Sequence, residues 1–382
     1  QTNEDITIHL GSQLVGSSGF KGNFTSTILS PDGRRQEIKH GATILAIGAQ
    51  EYRGEEYGYG NNPRILTQQE FERLLVEDRE SSEHAAEHLK ADLPDTVVMI
   101  QCIGPGEKFC SRICCTVALK NALMLKKLKP EADVVVLYKD IRTYGFKERL
   151  YETARDRGVI FLRYDEAHRP FVSGEDEKLT VLAWDAVLGR NVQLNPDLLV
   201  LSMPIVPNPD VHKLSALFKV PVDTDGFFLE AHVKLRPVDF ATDGVFMAGM
   251  AHYPKLLDET IIQAQAAASR AGRLLSQETL SAGGVVALVD EGLCTGCLTC
   301  VRICPFHVPQ IQPNLSGVGN ILGAAYIESA ICQGCGQCVA ECPARAIQLM
   351  HYTDAQMIAK VRSLTRPELG FVRLEDVREI SE

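Results

Sequence analysis

The apolar positions change their period several times along the chain, and each change marks a different kind of element. In the first forty residues apolar and polar positions alternate. Residues 6–15, 24–29 and 34–41 read as three antiparallel strands, with turns at Gly19, Gly22 and Asp32-Gly33. Residues 42–49 (ATILAIGA) are a nearly unbroken apolar run, a buried strand that ends in glycine. After a tyrosine-rich polar loop, residues 67–77 switch to helical spacing, with Thr67 as N-cap.

The pattern then alternates between strand and helix. Residues 96–103 read as a buried strand, 111–129 as a helix stopped by Pro130, and 134–138 as a strand. Residues 148–158 read as a helix ending at Gly158, and 159–164 as a strand. Such alternation predicts an α/β fold with a parallel, doubly wound sheet. Residues 179–189 and 195–203 supply further strands, and 226–237 and 244–250 read as short ones. Residues 260–275 form an alanine-rich helix, and 276–284 (SQETLSAGG) a linker with a domain boundary near Gly283. Thr353 and Gln356 predict a capping box for a last helix over 354–364, before a charged tail over 366–382.

Composition narrows the class. Lysine and arginine total 39 against 49 acidic residues, a net charge of −10, which argues against a nucleic-acid partner. No apolar run approaches the ~20 residues of a transmembrane helix, and the start does not read as a signal peptide.

The twelve cysteines fall into three groups of four. Cys294, Cys297, Cys300 and Cys304, followed by Pro305, repeat in Cys332, Cys335, Cys338 and Cys342, followed by Pro343. This C-x-x-C-x-x-C-x-x-x-C-P run is the bacterial ferredoxin pattern, in which the fourth thiolate of each run ligates the other cluster. One [4Fe-4S] cluster is therefore assigned to Cys294, Cys297, Cys300 and Cys342, and a second to Cys332, Cys335, Cys338 and Cys304. The fourth thiolate of each run is expected to start a helix. Gly296, Gly334 and Gly336 let the backbone curl and aim amides at sulfur. Zinc and disulfides are the alternatives; eight cysteines in two identical runs fit neither. His307, behind the first run, reads as a surface residue.

The third group, Cys102, Cys110, Cys114 and Cys115, has the spacing C-x7-C-x3-C-C. It falls where a strand ends and a helix begins, the crevice where open α/β sheets bind ligands. Gly104-Pro105-Gly106 gives half of a dinucleotide fingerprint, but Phe109 stands where its last glycine belongs. A third cluster in place of a nucleotide, a reactive vicinal thiol pair and plain buried cysteine all remain open from spacing alone.

Five segments carry a family resemblance: 67–75 (TQQEFERLL), 101–123 (QCIGPGEKFCSRICCTVALKNAL), 226–237 (GFFLEAHVKLRP), 242–272 and the double cysteine block. Together they resemble the heterodisulfide reductase A-subunit family, in which a thioredoxin-reductase-like core carries FAD. The resemblance implies an α/β, partial two-dinucleotide-binding-domain flavoprotein followed by an α+β 2[4Fe-4S] ferredoxin domain. Its boundaries would be 1–54 and 205–283 for the two segments of an FAD-binding domain, and 55–204 for an α/β unit carrying a cluster. The ferredoxin-like domain would take 284–350, and 351–382 a final helix and tail.

The same resemblance implies a [4Fe-4S] cluster on Cys102, Cys110, Cys114 and Cys115, making three in all, and flavin contacts at Gly48, Gly249, His252, Lys255, Asp258 and Glu259. Two departures stand out: Met250 occupies the place of an aspartate that contacts FAD in related flavoproteins, and no complete G-x-G-x-x-G turn is present. The implied function is that of an electron-transfer component in a cytoplasmic, anaerobic oxidoreductase complex, with flavin-based electron bifurcation as its finer form. Other subunits would be its partners, some supplying or contacting the incomplete FAD domain. The competing function is an iron–sulfur relay without its own flavin.

Overall fold

The computed structural model describes residues 3–77, 93–104, 110–174, 178–279 and 285–364. Its centre is a five-stranded parallel sheet with the order Ile65–Thr67, Leu198–Leu201, Thr96–Ile100, Asp133–Tyr138, Ile160–Arg163. Both faces are buried, which is why its strands are runs of valine, isoleucine and leucine instead of alternating sequences. Val97, Met99, Val134, Val136 and Val200 point to one face, where helices Gln68–Glu77, Cys114–Leu128 and Glu148–Asp156 cover them with Phe71, Leu75, Leu119, Leu125 and Ala154. Val98, Ile100, Val135, Leu137, Leu199 and Leu201 point to the other.

That second face corrects the expectation of a doubly wound sheet. It is covered by an antiparallel meander, Phe171–Ser173, Thr180–Asp185 and Arg190–Leu194, through Leu179, Val181 and Ala183. The segment 179–189 is thus a strand and turn of this meander, outside the parallel sheet. Its alternating burial fits a ribbon with one face on the core and the other in solvent.

A second unit holds the meander Gln13–Phe20, Asn23–Leu29, Arg35–His40 and a two-stranded parallel sheet of Thr43–Leu45 with Val245–Met247. Residues 6–12 lie outside the first strand, and Ile6, Ile8 and Leu10 are exposed. Residues 226–237 are not a strand. His232 Nδ1 accepts hydrogen bonds from the amides of Lys234 and Leu235, a turn that leaves only isolated bridges. Helix Leu257–Leu275 starts three residues before the expected position. Glu259 Oε2 accepts from the Leu256 amide at 3.0 Å, and Asp258 and Glu259 place negative charge at the helix start. Thr67 and Glu70 form the reciprocal cap of the first helix, 2.8 and 3.3 Å.

The last unit pairs Ala287–Val289 with Ile347–Leu349 and Gln310–Ser316 with Leu322–Tyr326, both antiparallel. Two short helices, Thr299–Ile303 and Gln337–Ala340, carry cysteines, and Thr353 and Gln356 cap helix Asp354–Leu364. The fourth thiolates do not start these helices. Cys304 is the C-cap of the first, and Cys342 follows the second, because each helix begins one residue before the third cysteine of its run and has ended before Pro305 or Pro343. The boundary near Gly283, the segment 105–109 and the tail 366–382 lie outside the described residues.

Candidate metal centres

All twelve cysteines are unpaired with one another. Topology returns each group to a single place.

In the ferredoxin-like unit, Cys294, Cys297, Cys300 and Cys342 line one cavity together with Ala325, Ala346 and Ile347. Cys342 comes from the second run, yet it lines this cavity with the first three thiols of the other run. The other set converges too. Burial, then the neighbouring Cys332, Cys304 and Cys335, push the Cys338 thiol up to about 12. Cys300 also contributes to that shift, so the two sets are close enough to feel each other. The Cys300 thiol is itself raised, by burial first and then by Cys294, Cys297 and Cys342.

Backbone amides already point at these sulfurs. Ala325 N–H donates to Cys294 at 3.4 Å, Ala346 N–H to Cys342 at 3.3 Å, and Ala287 N–H to Cys332 at 3.3 Å. Cys297 Sγ lies 3.4 Å from Thr299 Oγ1, and this contact lowers its pKa. Gly296 and Gly334 sit at φ of +65°, and a Cβ on Gly334 would stand 2.4 Å from the Val285 carbonyl oxygen. Only glycine fits there. His307 is exposed, as read from the sequence.

The third group sits at the carboxyl ends of the central parallel strands. Its cavity, about 300 Å³, is lined by all four of Cys102, Cys110, Cys114 and Cys115. Gln101, Ser202, Lys139 and Arg142 line it as well. Cys102 holds an unusual φ of +60°, and Arg112 one of +49°. Burial, then the other three thiols, push Cys114 up to about 12; burial also pushes Cys115 up to about 11. Cys114 and Cys115, raised by burial and by the neighbouring thiols, ionise readily only with positive charge among them, which is what a metal cluster would provide. Among the described residues, no three His, Cys, Asp or Glu side chains close in tightly enough for a single metal ion. The donors instead surround a void, which suits a larger group.

The residues expected at the flavin form a separate, buried network. His252 Nε2 lies 2.7 Å from Glu230 Oε2, and its Nδ1 lies 2.9 Å from Gln263 Nε2 and 3.2 Å from Lys255 Nζ. Lys255 Nζ also stands over the Tyr253 ring, 3.0 Å from its centre. Burial, then the nearby Lys255 charge, hold His252 down at about 4; burial, then Arg112, hold Lys255 at about 7. Asp258 is instead exposed and paired with Lys147, and Glu259 with Arg112. Gly48 and Gly249, at φ of +69° and +71°, end the paired parallel strands, and a Cβ on Gly48 would meet nothing within 4 Å.

Arg112 is the residue that sequence reasoning missed. From between Cys110 and Cys114 its guanidinium donates to Pro254 O at 3.2 Å, Glu259 Oε2 at 3.0 Å and Tyr144 Oη at 2.7 Å, and it packs on Tyr253. It ties the cysteine loop to the His252–Lys255 network. No local pattern signals this, since the partners lie 32 to 147 residues away.

Fold and donor sets together define an iron–sulfur protein: an α/β framework joined to a two-cluster ferredoxin-like block. Residues 293–346 match the family described as 4Fe-4S dicluster domain. The iron-sulfur A-subunit of CoB–CoM heterodisulfide reductase from Methanocaldococcus jannaschii is 38% identical over 337 residues, covering 85% of this chain and 50% of that protein. The A-subunit of the H2/formate:CoB–CoM heterodisulfide,ferredoxin reductase from Methanococcus maripaludis is 36% identical over 334 residues, again 85% of this chain and 50% of that one. The chain belongs to the heterodisulfide reductase A-subunit family, and it spans about half the length of the curated relatives it matches. Thioredoxin reductase of T. acidophilum aligns with a TM-score of 0.42 at 13% identity, over 69% of this chain and 73% of that one. Among the described residues no helix is long and apolar enough to cross a membrane.

Proposed function

We propose that the chain is an electron-transfer module of a cytoplasmic, multi-subunit oxidoreductase, holding three [4Fe-4S] clusters and contributing part of an FAD site. The observation that carries this reading is the convergence of twelve cysteines in three sets of four: Cys102, Cys110, Cys114 and Cys115 around one cavity, Cys294, Cys297, Cys300 and Cys342 around another, and Cys304, Cys332, Cys335 and Cys338 as the third. When bound, the clusters supply one-electron storage and FAD supplies exchange of electron pairs.

The chain's own residues prepare these sites. Amides of Ala287, Ala325 and Ala346 favour added negative charge at the ferredoxin-like sites. At the proposed flavin site the open backbone at Gly48, and the buried Gln263 Oε1 without a hydrogen-bond partner among the described residues, would leave room and a polar contact for a ring. Lys255, with its pKa held at about 7, would hold or release a proton at Nζ there. The domain division at 54, 204, 283 and 350 belongs to this proposal.

A partner segment completes the FAD unit. Thr43–Leu45 pairs on one side only among the described residues, with Ile44 exposed, although parallel sheets are normally covered. On helix Leu257–Leu275, the exposed Leu257, Ile261, Ala264, Ala268 and Leu275 form a stripe of small and apolar residues. An additional strand and helix fit this arrangement. Electron bifurcation is the finer form of the proposal, drawn from relatives whose names join a heterodisulfide with ferredoxin.

One arrangement favours the pure relay: His252, Lys255 and Glu230 are already satisfied by one another, and Asp258 and Glu259 by Lys147 and Arg112. Acid-released flavin per chain, measured on the purified complex alongside iron, decides between them. About one flavin per chain supports the FAD reading; full iron with no flavin overturns it in favour of the relay.

A further inference from the structure

Beneath the third cysteine set lies a side chain with nothing to do. Gln101 follows the last residue of strand Thr96–Ile100 and precedes Cys102. It is fully buried. Its backbone is fixed at both ends: its amide donates to Leu137 O at 2.8 Å, and its carbonyl accepts from Tyr164 Oη at 2.6 Å. Yet among the described residues both Oε1 and Nε2 of its side chain lack any hydrogen-bond partner. Buried amides are normally paired, because leaving them unpaired is costly. This one lines the cavity of Cys102, Cys110, Cys114 and Cys115.

Several polar groups of this region already have a partner. Gln68 Nε2 donates to Ser202 Oγ at 3.2 Å, Tyr164 Oη donates to the Gln101 backbone, and Ser111 Oγ accepts from the Ile205 amide at 2.9 Å. Asn121 Nδ2 donates to Gln68 Oε1 at 2.8 Å. The protein therefore offers Gln101 no partner among these groups, and the cavity is the direction left to it.

We infer that the Gln101 side-chain amide donates a hydrogen bond to the group held by Cys102, Cys110, Cys114 and Cys115, and thereby sets its reduction potential. The inference rests on the cluster reading of this cavity. It adds a residue that is not a ligand. A donor aimed at sulfur stabilises the reduced, more negative form and raises the potential. The ferredoxin-like sites receive such donors from backbone amides of Ala287, Ala325 and Ala346, and at the third site Arg112 N–H donates to Cys110 at 3.3 Å while a backbone hydrogen bond from Arg142 acts on Cys115. Gln101 would add a side-chain donor to these.

The test is an EPR-monitored redox titration of the full chain, anaerobically purified with its clusters, with iron and acid-labile sulfide counted in the same samples. The signal missing from Cys114→Ser identifies the cavity cluster. Gln101→Met keeps the shape without the donor, and Gln101→Glu keeps the size and reverses the polarity. The expected result is a cavity cluster with full iron whose reduced-to-oxidised ratio at a fixed potential falls about tenfold in Gln101→Met. The fall is larger in Gln101→Glu, and the ferredoxin-like signals stay unmoved. An unchanged midpoint with full iron in both variants overturns the inference while leaving the cluster reading intact. Loss of the cavity cluster from both variants also overturns it, since Gln101 would then hold the loop and not tune the group. Absence of any cavity signal in the parent protein contradicts the cluster reading itself.

Discussion

The ferredoxin-like unit and the third cysteine cavity solve the same problem by different routes. In the first, ligands lie three residues apart on tight loops. Glycines at positive φ and short helices are local consequences of that spacing, whereas the amides of Ala287 and Ala325 reach Cys332 and Cys294 from 45 and 31 residues away. In the second, the ligands lie on a strand end, a loop and a helix start, and the sheet brings them together. Cys102 and Arg112 adopt left-handed backbone, and Arg112 ties the loop to Glu259, 147 residues away. A local motif carries its own geometry in its sequence, whereas a site built on a sheet edge takes its geometry from the fold.

This contrast can be broken in order of expected effect. The largest lies in the crossing of the ferredoxin-like runs. Cys342→Ser should remove the cluster of the first run, although 38 residues separate it from Cys304 of that run. The cluster of Cys332, Cys335, Cys338 and Cys304 should survive. Iron analysis would show a loss of about four irons per chain; a loss confined to the second run's own signal would mean that no crossing occurs.

Next comes Gly334→Ala. The new Cβ would clash with the Val285 carbonyl and hold a left-handed φ, which should cost about 2 kcal/mol or more in unfolding stability. Chemical denaturation would measure it, and a stability equal to the parent would show that the loop has slack.

Lys255 gives a smaller, pH-dependent effect. Its pKa falls from 10.5 to about 7 on folding. Between those values the unfolded chain binds the proton that the folded one does not. Stability therefore rises from pH 7 towards 10.5 and is lost as pH falls to 7. Lys255→Met should flatten the rise between pH 7 and 9 by an amount on the order of 2 kcal/mol, read from urea midpoints. Identical slopes in the two proteins would place the charge outside the buried network.

The smallest effect belongs to Arg112→Ala. Its ion pair with Glu259 is about a quarter exposed on each side, so stability should drop by on the order of 1 kcal/mol. The EPR lineshape of the cavity cluster should broaden, and those of the ferredoxin-like clusters should not. Broadening at all three sites would mean that the loop is not separately tethered.

The contrast also explains what could be read in advance. The two cysteine runs and the glycines within them were legible because each run is a motif of about a dozen residues, whereas the place of Cys342 beside the first run depends on folding across more than forty residues. Four of the five parallel strands were legible from their apolar runs; the three-residue edge strand Ile65–Thr67 was not, because it is too short to show a period. The side on which residues 171–194 pack was not, because an alternating ribbon looks the same whichever sheet it covers. The reading of 226–237 as a strand failed because one turn around His232 outweighed a strand-like pattern. Asp258 was expected at the flavin, yet its exposed position beside Lys147 depends on a loop more than a hundred residues earlier.

The central claim is that three sets of four thiolates each hold one cubane. Iron and acid-labile sulfide, counted together on anaerobically purified protein with zinc measured in the same sample, test it most directly. About twelve irons and about twelve sulfides per chain, with no stoichiometric zinc, are expected. About eight of each would remove the cavity cluster, and zinc in place of iron, or neither, would contradict the account as a whole.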